Sequence, residues 1–329
     1  MTVGLVLVTF NAEAYIRRAL AAVAEQTRPP DAVVIVDNAS TDGTRAAIDA
    51  CTRGWAVPVR VIASPANLGF AAANNRAVEQ LASCDLVALL NPDAFPESGW
   101  LDALLAAAAA HPEAASFASR LMLEGQPGQL DGAGDVCHVS GLAWRHGHGQ
   151  PLAAIHGALQ ARPVFSACAA AALYRRDDWA RAGGFDERFF CYAEDVDLGF
   201  RLQLAGRGCR YVPEAVAHHL GSASAGVGSA FAVYHGHRNA EWMFLKNMPA
   251  VLFWRYLPLH LAVSLAGLAF FASRGRAGSF LKAKWDALAR AGEFWQVRRE
   301  VQAARVLSSA EVLALLDRSS LIARLRDRV

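Results

Sequence analysis

Three carboxylates, Glu194, Asp195 and Asp197, open a predicted helix directly after an aromatic, glycine-bearing stretch from Gly183 to Ala193. The first turn of a helix favours acids because its free N–H groups carry partial positive charge. The approach through Phe185, Phe189, Phe190 and Tyr192 takes these acids off a solvated face and into the wall of a cleft, which is where a general base works.

Other side chains suited to chemistry stand at the ends of apolar runs. Asp37 follows VVIV and precedes NASTDGT. Ser40 or Thr41 can cap the next helix, which leaves Asp37 either to accept from a base imide or ribose hydroxyl or to form a turn. No G-x-G-x-x-G precedes it to suggest a dinucleotide. In LLNPDAF, Leu89 to Phe95, two leucines deliver Asn91 and Asp93 to a strand end and Pro92 fixes the backbone between them. Asp93 is suited to hold an oxygen-preferring cation against a diphosphate; the alternative is a plain Asn-Pro-Asp turn. His218 and His219 close the run PEAVAHH ahead of LGSASAG, a position for a metal ligand or phosphate contact. The H-G-H pairs His146/His148 and His235/His237 have no cysteine or carboxylate at ligand spacing and read as structural.

The elements that must position these groups alternate. Val3 to Val8, Ala32 to Val36, Val57 to Ile62 and Leu86 to Leu90 read as strands; Glu13 to Glu25, Thr41 to Cys51 and Phe70 to Leu81 read as helices. The result is an α/β fold with a mostly parallel sheet flanked by helices, whose ligands bind beyond the carboxyl ends of the strands. Thr9 and Asn11, then Asp37, Asn38 and Ser40, then Asn67 and Gly69, then Asn91 and Asp93 stand at four successive strand ends. The segment NLGFAAANN adds Asn75 to this set.

A chain of 329 residues, 54% of them hydrophobic, buries a large core and excludes disorder. Six scattered cysteines without a CxxC pair point to a reducing compartment, and the N-terminus shows no export-signal pattern. The expectation is a protein in the cytoplasm or peripheral on the inner face of the cell membrane. From Ala250 onward there are 13 Lys+Arg against 6 Asp+Glu, a net +7, so the first 249 residues carry −5 of the overall +2. This basic tail contains the apolar run Leu257 to Ala272, whose sixteen residues fall short of the roughly 20 that span a bilayer. A helix lying in the interface, with Trp254, Tyr256 and Trp285 at the headgroups and arginines on anionic lipid, fits it; a hairpin packed on the main domain is the alternative. The division expected is 1–225 and 226–329, and nothing calls for a nucleic-acid partner.

VTFNA, VDNASTDGT, NLGFAAANN, LLNPDA, GGFDERFFCYAEDVDLGFRL and AVAHHLGSAS follow, in order, a pattern that resembles the family 2 inverting glycosyltransferases of GT-A fold. The N-P-D form and the H-x-x-S tail resemble its bacterial rhamnosyltransferase-type group. The resemblance covers roughly residues 1 to 225. It implies that Asp37, Thr9 and Asn11 hold the nucleoside of a nucleotide-sugar donor, that Asp93 and His219 bind Mg2+ or Mn2+ against the diphosphate, and that Asp195 is the base. Glu194 is the second choice, since neighbours on a helix point about 100° apart. Asp197 and Arg201, four residues apart, are expected to pair along the helix. Asn91 departs from the D-x-D of many relatives and removes one carboxylate from the metal site. The implied donor is dTDP-rhamnose and the acceptor a glycan or polyprenyl-linked glycan in cell-surface polysaccharide synthesis, on an anionic membrane surface. Transfer of galactofuranose, glucose or N-acetylglucosamine, or silent nucleotide-sugar binding, are the alternatives. A nucleotidyltransferase would carry a glycine-rich, basic loop where this chain has TFNAEAY.

Overall fold

The computed structural model describes residues 1–221 and 228–321. The strands are β1 (Val3–Thr9), β2 (Ala32–Asp37), β3 (Val59–Ala63), β4 (Leu86–Leu90), β5 (Ala94–Pro96), β6 (Ser116–Leu123), β7 (Leu130–Ala133), β8 (Asp135–Cys137), β9 (Ala143–Arg145), β10 (Arg162–Val164), β11 (Ala171–Arg175) and β12 (Cys209–His219). The helices are α1 (Ile16–Ala24), α2 (Thr44–Cys51), α3 (Gly69–Glu79), α4 (Trp100–Ala110), α5 (Arg176–Ala182), α6 (Glu194–Leu204), α7 (Ala230–Asn247), α8 (Ala250–Ala272), α9 (Ala277–Ala289), α10 (Ala291–Ala303) and α11 (Ser309–Leu315).

The main sheet runs β10-β12-β6-β11-β4-β1-β2-β3, with β5 added on β12 and β7 on β6. β1 to β4 are mutually parallel, and β12 is parallel to β6. β11 lies antiparallel between β4 and β6. The four parallel strands match the expected βα units, and β3 starts at Val59, just after Pro58, which has no N–H to give a ladder. Alternation along β1 sends Val3, Leu5 and Leu7 into the core against α1 and α2, and Val6 and Val8 into the core against α3. Helices therefore cover both faces.

α6 has two buried sides. Leu198 and Leu202 pack on the sheet, while Val196, Phe200 and Leu204 pack with Trp242, Phe244, Phe253 and Phe294 of the following helices. The boundary expected near residue 225, and the Ser222 to Ser224 part of the expected AVAHHLGSAS motif, lie outside the described residues. Beyond them α7 is bound to α6: Lys246 Nζ donates to Asp197 Oδ2 at 2.9 Å and Asn247 Nδ2 to Asp197 Oδ1 at 2.8 Å. Asp197 also takes Arg201 Nε at 2.9 Å, the pair expected along the helix.

The tail differs from its expected length. α8 has 23 residues, not sixteen, because the helix starts directly after Pro249 and carries Arg255 within it. By length and composition it is long and apolar enough to cross a membrane. One side is seated: Leu252, Phe253 and His260 are buried, and His260 bonds Ser140 O and Glu241 Oε2, each at 2.7 Å. The other side is bare, with Val251 68%, Trp254 64% and Leu265 70% exposed, and α9 continues it with Trp285 at 71% and Leu288 at 69%.

Candidate active site

A cleft of about 770 Å³ opens at the carboxyl ends of β1, β2 and β4. Of the residues singled out in the sequence, Thr9, Asn38, Asn67, Gly69, Asn91, Asp93, Glu194, Asp195 and His219 line it. Asn38 and Asn67 hold each other, Asn38 Nδ2 to Asn67 Oδ1 at 2.9 Å, and Asn67 Oδ1 also takes Gly69 N at 2.9 Å. Gly69 has φ +81°, and a Cβ there would sit 2.5 Å from the Phe190 carbonyl oxygen. Only glycine permits that approach, and Phe70 N donates to the same oxygen at 2.6 Å.

Four expected donor contacts lie elsewhere. Asn75 turns away from the cleft to staple α3 to the glycine-rich loop: its Nδ2 donates to Phe185 O at 2.8 Å and its Oδ1 accepts from Phe185 N at 2.9 Å. Asp37, Asn11 and Ser40 are not among the lining residues. They form a turn network in which Asp37 Oδ1 accepts from Ser40 N at 3.1 Å and Ser40 Oγ from Asn11 N at 3.0 Å. The helix after them is capped by neither Ser40 nor Thr41; Asp42 Oδ1 accepts from Thr44 N at 3.1 Å. Of the four aromatics expected on the cleft wall, Phe190 and Tyr192 line it, while Phe185 and Phe189 are core.

Asp195 and Glu194 differ in surroundings. Asp195 is half-buried, its Oδ2 accepting from Ala169 N at 3.0 Å and its Oδ1 from Val196 N at 2.8 Å. Burial raises its pKa and those two N–H groups oppose the rise. Glu194 is buried, its Oε2 has no hydrogen-bond partner, and burial together with the Asp195 charge pushes its carboxyl well above the usual range. The chain reaches them through Phe190, Tyr192 and Ala193, at φ +66°, +73° and +65°. Non-glycine residues in this region cost about 1 kcal/mol or more each unless their surroundings hold them. Here Asn239 Nδ2 of α7 donates to Phe189 O and Cys191 O at 2.9 Å and to Tyr192 O at 2.7 Å.

Asp93 and His219 also line the cleft and meet there, Oδ1 to Nε2 at 3.4 Å. The other ring nitrogen, Nδ1, bonds Asp131 Oδ2 at 2.7 Å. Asp131 is fully buried on β7 and also carries Arg145 Nη1, from β9. Burial depresses basicity at His219, yet its two carboxylate partners raise the pKa to about 9. His148 Nδ1 sits 3.0 Å from Asp131 Oδ1, and His237 packs on Phe271 and Phe280, so neither H-G-H pair builds a metal cluster. No group of three His, Cys, Asp or Glu side chains is arranged to hold a metal among the described residues. Two ligands remain, one carboxylate and one imidazole oriented by a second carboxylate. That donor set fits a cation completed by phosphate oxygens and water.

Asp131, Asp135 and Arg145 escaped the sequence reading. Asp135 lines the cleft and takes Ser166 Oγ at 2.9 Å; burial first, and the Asp195 charge second, raise its pKa. The run Asp131-Gly-Ala-Gly-Asp135 was a visible signal, two acids around glycines after an apolar stretch.

A mixed sheet covered by helices, with an acid-led helix lining its cleft, is shared with solved glycosyltransferases. Residues 5–178 match the family model described as glycosyl transferase family 2, and residues 142–274 match that of glycosyl transferase family group 2. The chain belongs to glycosyl transferase family 2. It is 32% identical over 266 residues to the N-acetylglucosaminyl-diphospho-decaprenol L-rhamnosyltransferase of Mycobacterium tuberculosis, covering 74% of this chain and 83% of that one. Among solved structures it resembles GalNAc-T7 with UDP, GalNAc and Mn2+ at TM-score 0.67 and 13% identity, covering 99% of this chain but 57% of that one. It also resembles the mannosyltransferase PcManGT of Pyrobaculum calidifontis with GDP-Man and Mn2+, at TM-score 0.56 and 19% identity, covering 92% and 85%.

Proposed function

We propose that this glycosyltransferase moves L-rhamnose, with inversion, from dTDP-rhamnose to a hydroxyl of a sugar on a polyprenyl diphosphate, during assembly of a cell-surface polysaccharide. The observation that carries the reaction is Asp195, held by two backbone N–H groups in the cleft that Asp93 and His219 also line. The rhamnosyltransferase of M. tuberculosis, with a lipid diphosphate in its name, supports the choice of substrates.

The donor's nucleoside lies across the ends of β1 and β2, near Thr9, Asn38, Asn67 and Gly69. The Asp37, Asn11 and Ser40 turn braces that wall from behind. Asp195 takes the proton from the acceptor hydroxyl as its oxygen bonds the anomeric carbon from the face opposite the diphosphate. The bond from that carbon to the diphosphate oxygen breaks, and its electron pair leaves with the diphosphate. Asp93 and His219 would hold Mg2+ or Mn2+, which would supply positive charge to that leaving group. Glu194, buried and with its carboxyl pushed upward by burial and by the Asp195 charge, is the second choice for the base. Phe190 and Tyr192 shield the reacting centre from water.

The bare face of α8 and α9, with Trp254, Leu265 and Trp285 exposed and Arg274, Arg276 and Lys282 nearby in sequence, lies on an anionic membrane at the cytoplasmic side. The test of the reaction is incubation with dTDP-rhamnose, UDP-galactofuranose, UDP-glucose and UDP-N-acetylglucosamine and a short-chain lipid-diphosphate sugar, followed by mass spectrometry. Product from dTDP-rhamnose alone is expected; product only from another donor corrects the sugar. For the surface, Trp254→Ser with Trp285→Ser should abolish flotation with phosphatidylglycerol vesicles; unchanged flotation overturns it.

A further inference from the structure

Arg145 is the only lysine or arginine among the described residues that line the cleft, which also holds Asp93, Asp135, Glu194 and Asp195. Its guanidinium has five N–H donors. Nη1 is spent on Asp131 and stands 3.4 Å from His219 Nδ1. Nε and Nη2 have no partner among the described residues, and the side chain keeps 24% of its surface open. One fully buried carboxylate, Asp131, thus fixes an arginine and the histidine that faces Asp93, side by side. Acids lining a cleft oppose a phosphate anion unless positive charge offsets them. A planar guanidinium with a free edge is matched to two phosphate oxygens.

We propose that Arg145 is a further catalytic residue, which grips a diphosphate with its free Nε and Nη2 edge, and that Asp131 is the positioning residue that holds it beside His219. The proposal rests on the glycosyl-transfer reading above and adds to it a cation that the chain supplies itself. The ligand is an organic diphosphate. Two sources fit: the nucleoside diphosphate of the donor, whose departure the guanidinium would assist, and the lipid-linked diphosphate of the acceptor, which it would anchor.

The test measures binding of dTDP, and separately of geranyl diphosphate, to the full chain and to Arg145→Met, Arg145→Lys and Asp131→Asn, by calorimetry with Mn2+ present. Arg145→Met should weaken one diphosphate about 10- to 100-fold, the effect of losing charge-assisted hydrogen bonds, and Arg145→Lys should restore only part of it. Loss confined to dTDP assigns the donor, and loss confined to geranyl diphosphate assigns the acceptor. Asp131→Asn should weaken the same ligand while its unliganded melting temperature, read alongside, separates misfolding from misplacement. Binding of both diphosphates within twofold of wild type by a folded Arg145→Met overturns the proposal and leaves the transferase reading standing. A wild-type chain that binds no diphosphate overturns both.

Discussion

Lys246 Nζ on α7 lies 2.9 Å from Asp197 Oδ2 on the helix that begins with Glu194, and 2.7 Å from Asp186 Oδ2 in the loop before it. An amine this deeply buried is stable only because both acids surround it. Removing one partner of a buried pair costs about 3–5 kcal/mol. Arg201 and Arg188 remain on the two acids, so Lys246→Met should cost about 3 kcal/mol in urea unfolding. A loss under about 1 kcal/mol would mean the amine is replaceable.

Asp195→Asn keeps the shape of the side chain and removes the proposed base. Transfer should fall about 10²- to 10⁴-fold in kcat, with dTDP affinity nearly constant. Wild-type turnover in this variant would disqualify Asp195. Glu194→Gln keeps an uncharged group in its place and should cost far less.

Asp93→Ala and His219→Ala each delete one of the two proposed protein ligands, and Asp131→Asn loosens the ring that carries the second. Mn2+ affinity, followed by the electron paramagnetic resonance of free Mn2+ with dTDP present, should fall about 10- to 100-fold in the Asp131 variant and further in the other two. Equal affinity in all four proteins would place the cation elsewhere.

Acid should loosen the tail before it loosens the sheet. Burial lowers the pKa of His237 to about 4, helped by the Lys284 charge, and burial with Arg238 does the same to His235. Both are near 6.5 when unfolded, so between about 6.5 and 4 the unfolded chain binds more protons and stability falls with falling pH. His219 has the opposite sign: its contribution is full below about 6.5 and is lost as pH rises through about 9. Glu241, lowered to about 2, acts below about 4.5. From pH 7 to 5 the two α7 histidines lower stability by about 1 kcal/mol between them after allowance for partial exposure, while Glu194 and Asp135, whose carboxyls burial pushes upward, act in the opposite sense. His237→Leu should flatten that part of the stability curve measured by urea unfolding; an unchanged slope would assign the loss to other groups.

The first four strands were legible because a parallel sheet covered on both faces leaves continuous apolar runs. Asp93, Asp195 and His219 stood out because each closes such a run or opens a helix. Asp131, Asp135 and Arg145 did not, since β7, β8 and β9 have only three or four residues, too few for periodicity to register. What brings Asp131 to His219 is the pairing of β7 and β12 on either side of β6, a relation between distant segments. Asn75 and Asp37 were legible as polar residues at the right end of the sheet, but side-chain direction decides which of them reach the cleft. α8 was cut short in the reading because Trp254, Arg255 and Tyr256 interrupt its apolar run, whereas a helix with one seated side tolerates them.

The single amide of Asn239, shared among the carbonyls of Phe189, Cys191 and Tyr192, limits how this enzyme can be recombined. The tail reads as a detachable address label, yet its first helix is a clamp on the loop that aims the base. A chimera that exchanges everything after residue 228 for a relative's tail would stay active only if the incoming helix brought an equivalent amide. Grafting from residue 250 onward, which leaves Asn239 and Lys246 in place, is the joint at which the two halves can be exchanged.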